Sequence, residues 1–233
     1  MSINSLSQSG GTCYFIKKNN RTFLVTAKHV ITRTNIACGE KTINTMTIAI
    51  LDTLQDGNID SFITIRIPPL NSYNSSDSIN NPDVIVFEVK EKGIDRLKSV
   101  ENFIMPELRY TNNTEIFGFN SVCFPHEFGR LIIKCASHVH IDSTNTIFYN
   151  GSPTNNNIPD TAYYMLVNKN LDVSEYMHGF SGSPIFIKDL NTNRYRLIGT
   201  FSIFGGDSVN KDLKFYQIPK IEYITNEINR LSQ

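Results

Sequence analysis

The chain has 233 residues, with 22 Lys plus Arg balanced by 22 Asp plus Glu. That length suits one large domain or two small ones, and 40% hydrophobic with 19% charged residues is the make-up of a folded protein rather than a disordered one. A formal net charge of zero gives no overall charge pointing to nucleic acid or an anionic membrane as partner, local basic patches aside, and no run approaches the roughly 20 apolar residues of a membrane span.

In chain order, the opening MSINSLSQSGG is polar and lacks the apolar core of a signal peptide. Cys13, Cys38, Cys123 and Cys135 lie far apart and form no CxxC pair. Together these features predict a cytoplasmic protein with free thiols. Short runs rich in Ile, Val, Phe, Thr and Tyr then recur at 12–16, 22–26, 45–51, 62–67, 84–89, 115–119, 131–135, 185–187 and 197–201. Turn clusters such as Lys17-Lys18-Asn19-Asn20 and Asp56-Gly57-Asn58 separate them. Many short strands with such punctuation predict an all-β sandwich or barrel. Two polar stretches, 71–81 and 150–160, read as surface loops. After Pro219, apolar residues fall at Ile221, Ile224, Ile228 and Leu231. That spacing predicts one C-terminal α-helix over about 219–231, packed as a lid on the β core.

Three residues carry candidate chemistry. His29 follows a strand that ends near Thr26, a position that serves a structural imidazole as readily as a reactive one. Asp83 stands between a polar loop with Pro82 and the apolar run Val84–Phe87, where it can simply start a strand or be buried at the core's edge. A buried carboxylate needs partners, and an imidazole N–H is one. Ser181 lies in HGFSGSPIF, flanked by Gly179 and Gly182. A serine hydroxyl is a weak nucleophile until a base takes its proton, and backbone amides in a tight glycine turn can stabilise an oxyanion. The motif is not the G-x-S-x-G elbow, because Ser183 stands where the last glycine would. The chain order His29, Asp83, Ser181 is that of chymotrypsin, one of three orders found on unrelated folds. His126, His138, His140 and His178 supply no convincing metal spacing, so no metal or other cofactor is expected. His138 and His140 alternate like strand residues.

With these residues in view, the sequence resembles the trypsin-like, chymotrypsin-fold serine peptidases. FLVTAKHV is similar to the family's Thr-Ala-Ala-His segment and DVIVFEV to its Asp-Ile-Ala-Leu segment. GFSGSPIF resembles the Gly-Asp-Ser-Gly-Gly-Pro signature and is nearer still to the Gly-Asn-Ser-Gly-Ser-Pro form of bacterial glutamyl endopeptidases. LIGTFSIFGG is similar to the strand and glycine loop that line the specificity pocket, and FYQIPKIEYITNEI to the closing strand and terminal helix.

The resemblance implies two six-stranded antiparallel β-barrels with a C-terminal helix, residues 1–105 carrying His29 and Asp83 and residues 106–233 carrying Ser181. It implies a serine endopeptidase in which Ser181 attacks, His29 is base and then acid, and Asp83 orients the imidazole. The amides of Gly179 and Ser181 would form the oxyanion hole. Backbone at Ser202, Ile203 and Phe204 would pair with an extended peptide or protein substrate, and Glu175 would stand where trypsin keeps its selector for basic side chains. Asp207 is an equal alternative for that charge, so no side-chain preference follows.

Several features depart from the family pattern. Phe180 precedes the serine where the digestive enzymes have Asp, which speaks against activation by a freed N-terminus but not against activity. Cys38 is too far past His29 to form the family's neighbouring disulfide. Phe201 replaces the histidine of glutamate-specific members, and Phe204 falls where many members have a pocket glycine. These departures leave a second reading: a latent or inactive trypsin-fold binding or sensor module. A regulatory protein partner would then switch or use it.

Overall fold

The computed structural model describes residues 11–31, 45–51, 59–69, 82–104, 114–119, 122–125, 131–134, 138–141, 146–150, 162–168, 181–202, 204–206 and 213–233. These residues are mostly strand, with one C-terminal α-helix, and each strand pairing among them is antiparallel.

The first sheet has β2 (Arg21–Thr26) at its centre, between β1 (Cys13–Lys18) and β5 (Ile85–Val89). β1 and β2 form a hairpin across Asn19 and Asn20, whose φ angles are +50° and +59°. Two successive left-handed residues give the turn whose twist suits flanking strands, and Asn tolerates that conformation better than most. Tyr14, Phe15 and Ile16, then Phe23, Leu24 and Val25, then Ile85, Val86 and Phe87 are buried without interruption. Continuous apolar runs of this kind mean that both faces of the sheet are covered.

Alternation along the strands sorts those residues between two cores. Phe15, Leu24, Ile85, Phe87 and Val89 face Ile65 and Ile67, at the end of β4 (Ile59–Arg66) and just past it. β4 itself pairs with β3 (Thr45–Leu51). Tyr14, Ile16, Phe23, Val25, Val84 and Val86 face the other way, onto Phe186, Leu197, Ile221, Ile224 and Ile228. This second core therefore joins the first sheet to the C-terminal half. The buried Tyr14 hydroxyl and Thr200 Oγ1, 2.7 Å apart, satisfy each other across the same junction.

In the C-terminal half, β12 (Pro184–Asp189) pairs with β13 (Tyr195–Thr200) and with β6 (Thr114–Phe119), and β6 pairs with β9 (His138–Ile141). A second four-stranded sheet runs β10 (Thr146–Asn150), β11 (Ala162–Asn168), β15 (Leu213–Pro219), β14 (Phe204–Gly206). A bridge between Gly199 and Lys220 ties the two sheets. β7 (Val122–Pro125) and β8 (Leu131–Lys134) form a separate ladder. No sheet closes into a barrel among the described residues.

The helix α1 spans Ile221–Leu231, starting later than the predicted 219 because Pro219 still pairs with Ala162 in the β11–β15 ladder. Ile221, Ile224 and Ile228 are buried on one face as the periodicity predicts, and each contributes about 2 kcal/mol by leaving water. Arg196 of β13 anchors the first turn of α1 through Glu222 at 2.7 Å.

Candidate active site

The register of the first sheet brings His29 and Asp83 together. Thr26, the last residue of β2, pairs with Ile85, the first of β5. One step further, the Lys28 amide donates to the Asp83 carbonyl at 3.3 Å. The chain then turns helical at 28–31 and lifts the His29 ring over Asp83. On the opposite side the Val84 amide donates to the Pro82 carbonyl at 2.7 Å, which bends the chain so that Asp83 points back toward the histidine.

Asp83 holds His29 twice. Its Oδ1 accepts from the His29 backbone N–H at 2.9 Å, and its Oδ2 lies 2.5 Å from the ring Nδ1. With Nδ1 donating to the carboxylate, Nε2 is left as the acceptor. That Nε2 lies 2.8 Å from Ser181 Oγ. The Asp83 side chain is 10% exposed and the His29 side chain 19% exposed, so the ring remains reachable while the carboxylate is covered.

Ser181 comes from the other half of the chain, on a turn just before β12. Gly182 has φ +88°, a left-handed conformation that side chains resist, and a Cβ there would lie 1.9 Å from the Thr12 carbonyl oxygen. The turn is fastened on two sides. The Thr12 amide donates to the Ser181 carbonyl at 2.8 Å, and the Gly182 amide donates to the Phe201 carbonyl at 2.8 Å.

An imidazole held this way can accept the serine proton and return it to a leaving group. The nearby Cys13 thiol is a poor rival nucleophile, because burial pushes its pKa up to about 12. No group of three metal-binding side chains occurs among the described residues.

His29, Asp83 and Ser181 are thus brought into one hydrogen-bonded line. Of the expected substrate contacts, Ser202 is buried and its amide donates to the Gln217 carbonyl at 2.9 Å, which fastens it to β15. Phe204 begins β14 opposite Tyr216. Gly179, Glu175 and Ile203 lie outside the described residues, as do Phe180, Asp207, His126, His178, residues 71–81 and residues 151–161. Along β9, His138 and His140 pair with Phe119 and Phe117 of β6. Thr12 and Thr26, which lie directly behind the serine turn, had no signal in the sequence beyond β propensity.

No family model matches the chain, and no curated protein is detectably similar to it in sequence. No helix among the described residues is long and apolar enough to cross a membrane.

Proposed function

We propose that the protein is a serine endopeptidase working through Ser181, His29 and Asp83. One observation carries this reading: the His29 ring bridges Asp83 Oδ2 at 2.5 Å and Ser181 Oγ at 2.8 Å through its two different nitrogens. A structural histidine needs only one such partner; a base that must be oriented while it takes a serine proton needs both.

In this reading Ser181 Oγ attacks the scissile carbonyl carbon as its proton passes to His29 Nε2. Asp83 keeps the Nδ1–H tautomer and stabilises the imidazolium. The tetrahedral oxyanion is met by the amides of Gly179 and Ser181. Collapse breaks the C–N bond, His29 Nε2 protonates the departing amine, and the acyl group stays on Ser181. Water then attacks the ester, giving its proton to His29, and the second collapse returns that proton to Ser181.

The same reading takes residues 1–105 and 106–233 as two six-stranded barrels with the site between them. It also takes the substrate to be an extended peptide or protein chain lying along Ser202–Phe204. It places the protein in the cytoplasm, in keeping with the free thiol of Cys13.

Fluorophosphonate labelling tests the proposal. Wild type is expected to be labelled at Ser181 and to release peptides from an unfolded protein. Ser181→Ala should do neither. Folded wild type that takes no label overturns the proposal and leaves the latent binding module.

A further inference from the structure

The segment that grips the serine turn belongs to neither the nucleophile's strand nor the histidine's. It is Gly11–Thr12, the lead-in to β1. A buried hydroxyl fastens this segment in turn. Thr26 Oγ1 donates to the Thr12 carbonyl at 2.7 Å, while the Thr12 amide donates to the Ser181 carbonyl at 2.8 Å. The two contacts use the two peptide groups on either side of the Thr12 Cα, so both its peptide planes are fixed at once. Thr26 is fully buried.

Packing around this point is close on every side. A Cβ on Gly182 would lie 2.3 Å from Thr26 Oγ1. A Cβ on Gly11 would lie 3.0 Å from the Ser181 carbonyl oxygen and 2.6 Å from the Val30 methyls. Thr26 also ends the central strand of its sheet, immediately before the segment that carries His29. One side chain therefore touches both the strand that delivers the base and the segment that holds the nucleophile.

We propose that Thr26 is a positioning residue: its hydroxyl fixes Thr12, and Thr12 sets Ser181 Oγ against His29 Nε2. The proposal rests on the peptidase reading above. Its physical basis is that a carbonyl that loses a hydrogen bond from a buried hydroxyl is held less firmly in its peptide plane. Here the carbonyl that would move shares its residue with the amide gripping Ser181. Small misplacements of a reacting atom are costly to rate even when binding is unchanged.

The test compares Thr26→Val, which keeps the shape and removes the hydroxyl, with Thr26→Ser, which keeps the hydroxyl. Thr26→Val should slow the covalent step of fluorophosphonate labelling about tenfold, with little change in reversible inhibitor affinity. Thr26→Ser should stay within about twofold of wild type. Amide hydrogen exchange supplies the second readout. In Thr26→Val the Thr12 amide should exchange about tenfold faster while the Phe87 amide, in the β2–β5 ladder, keeps its rate. A wild-type labelling rate in Thr26→Val overturns the proposal. So does equal acceleration at Thr12 and Phe87, which would make Thr26 a support of the whole sheet. If wild type takes no label, the peptidase reading falls, and exchange alone decides whether Thr26 fixes Thr12: local acceleration upholds the contact's role, and unchanged exchange sinks it.

Discussion

At one end of the β1–β2–β5 sheet Asp83 meets His29 at 2.5 Å, and at the other Glu88 meets Arg21 at 2.6 Å. The contacts are nearly equal in length and opposite in purpose. Arg21 and Glu88 are 31% and 19% exposed, lie beside the Asn19-Asn20 turn, and share their charge with Lys90 at 3.3 Å. Such a pair is screened by water and salt and adds little to stability. Asp83 is more deeply covered, and both its oxygens accept N–H groups of one residue. Burying a carboxylate is a poor way to stabilise a fold. What the arrangement provides is orientation, because the backbone and the ring of His29 are fixed by the same carboxylate. One sheet thus carries a solvated ion pair at its turn end and an oriented hydrogen-bonded line at its open end.

The strongest way to break this comparison is to neutralise the site end. Asp83→Asn should lower labelling and turnover by about 10⁴-fold, with thermal unfolding near that of wild type. A loss of only a few-fold would show that another group orients His29 and that Asp83 merely begins β5.

Acid should separate the two ends next. Protonating His29 removes the base, so labelling must fall as pH drops. Glu88 behaves differently. Its hydrogen bond with Arg21 holds its pKa below the ordinary value, so acid reaches it late. Acid should therefore cost labelling at one end and leave the Arg21–Glu88 contribution in place at the other until Glu88 is protonated, measured by labelling and thermal unfolding on the same samples. A labelling rate that does not fall in acid would contradict His29 as base.

How much of this was legible in the sequence depends on whether the signal is local. The runs at 12–16, 22–26 and 84–89 become β1, β2 and β5 because β-branched and aromatic residues cluster there between turn residues. His29, Asp83 and Ser181 stand out by neighbours and chain order. β10 and β11 were missed: Thr146–Asn150 and Ala162–Asn168 lie beside polar stretches and carry no sharp alternation. The grip of Thr12 on Ser181 was invisible for another reason. It depends on which strand ends meet, and a threonine in a strand reads only as a strand former. Which core each face of the first sheet joins is likewise a matter of pairing over long separations.

The smallest predicted effect tests the turn end directly. Glu88→Gln should leave the labelling rate unchanged, because Glu88 touches none of His29, Asp83 or Ser181. It should lower the unfolding midpoint near neutral pH by roughly 2 °C. The sign follows from linkage. The folded state holds Glu88 at a lowered pKa, so it binds fewer protons there than the unfolded chain does. The ion pair's contribution is present above the unfolded pKa of a glutamate and fades as pH falls through the folded one. The gap between wild type and Glu88→Gln should therefore close in acid, and it should also close in high salt as the exposed charges are screened. A gap that widens in acid would mean that Glu88 is not held as a carboxylate by Arg21. A loss of labelling in Glu88→Gln would mean that the two ends of the sheet are coupled through β5, and the contrast between an orienting end and a solvated end would no longer hold.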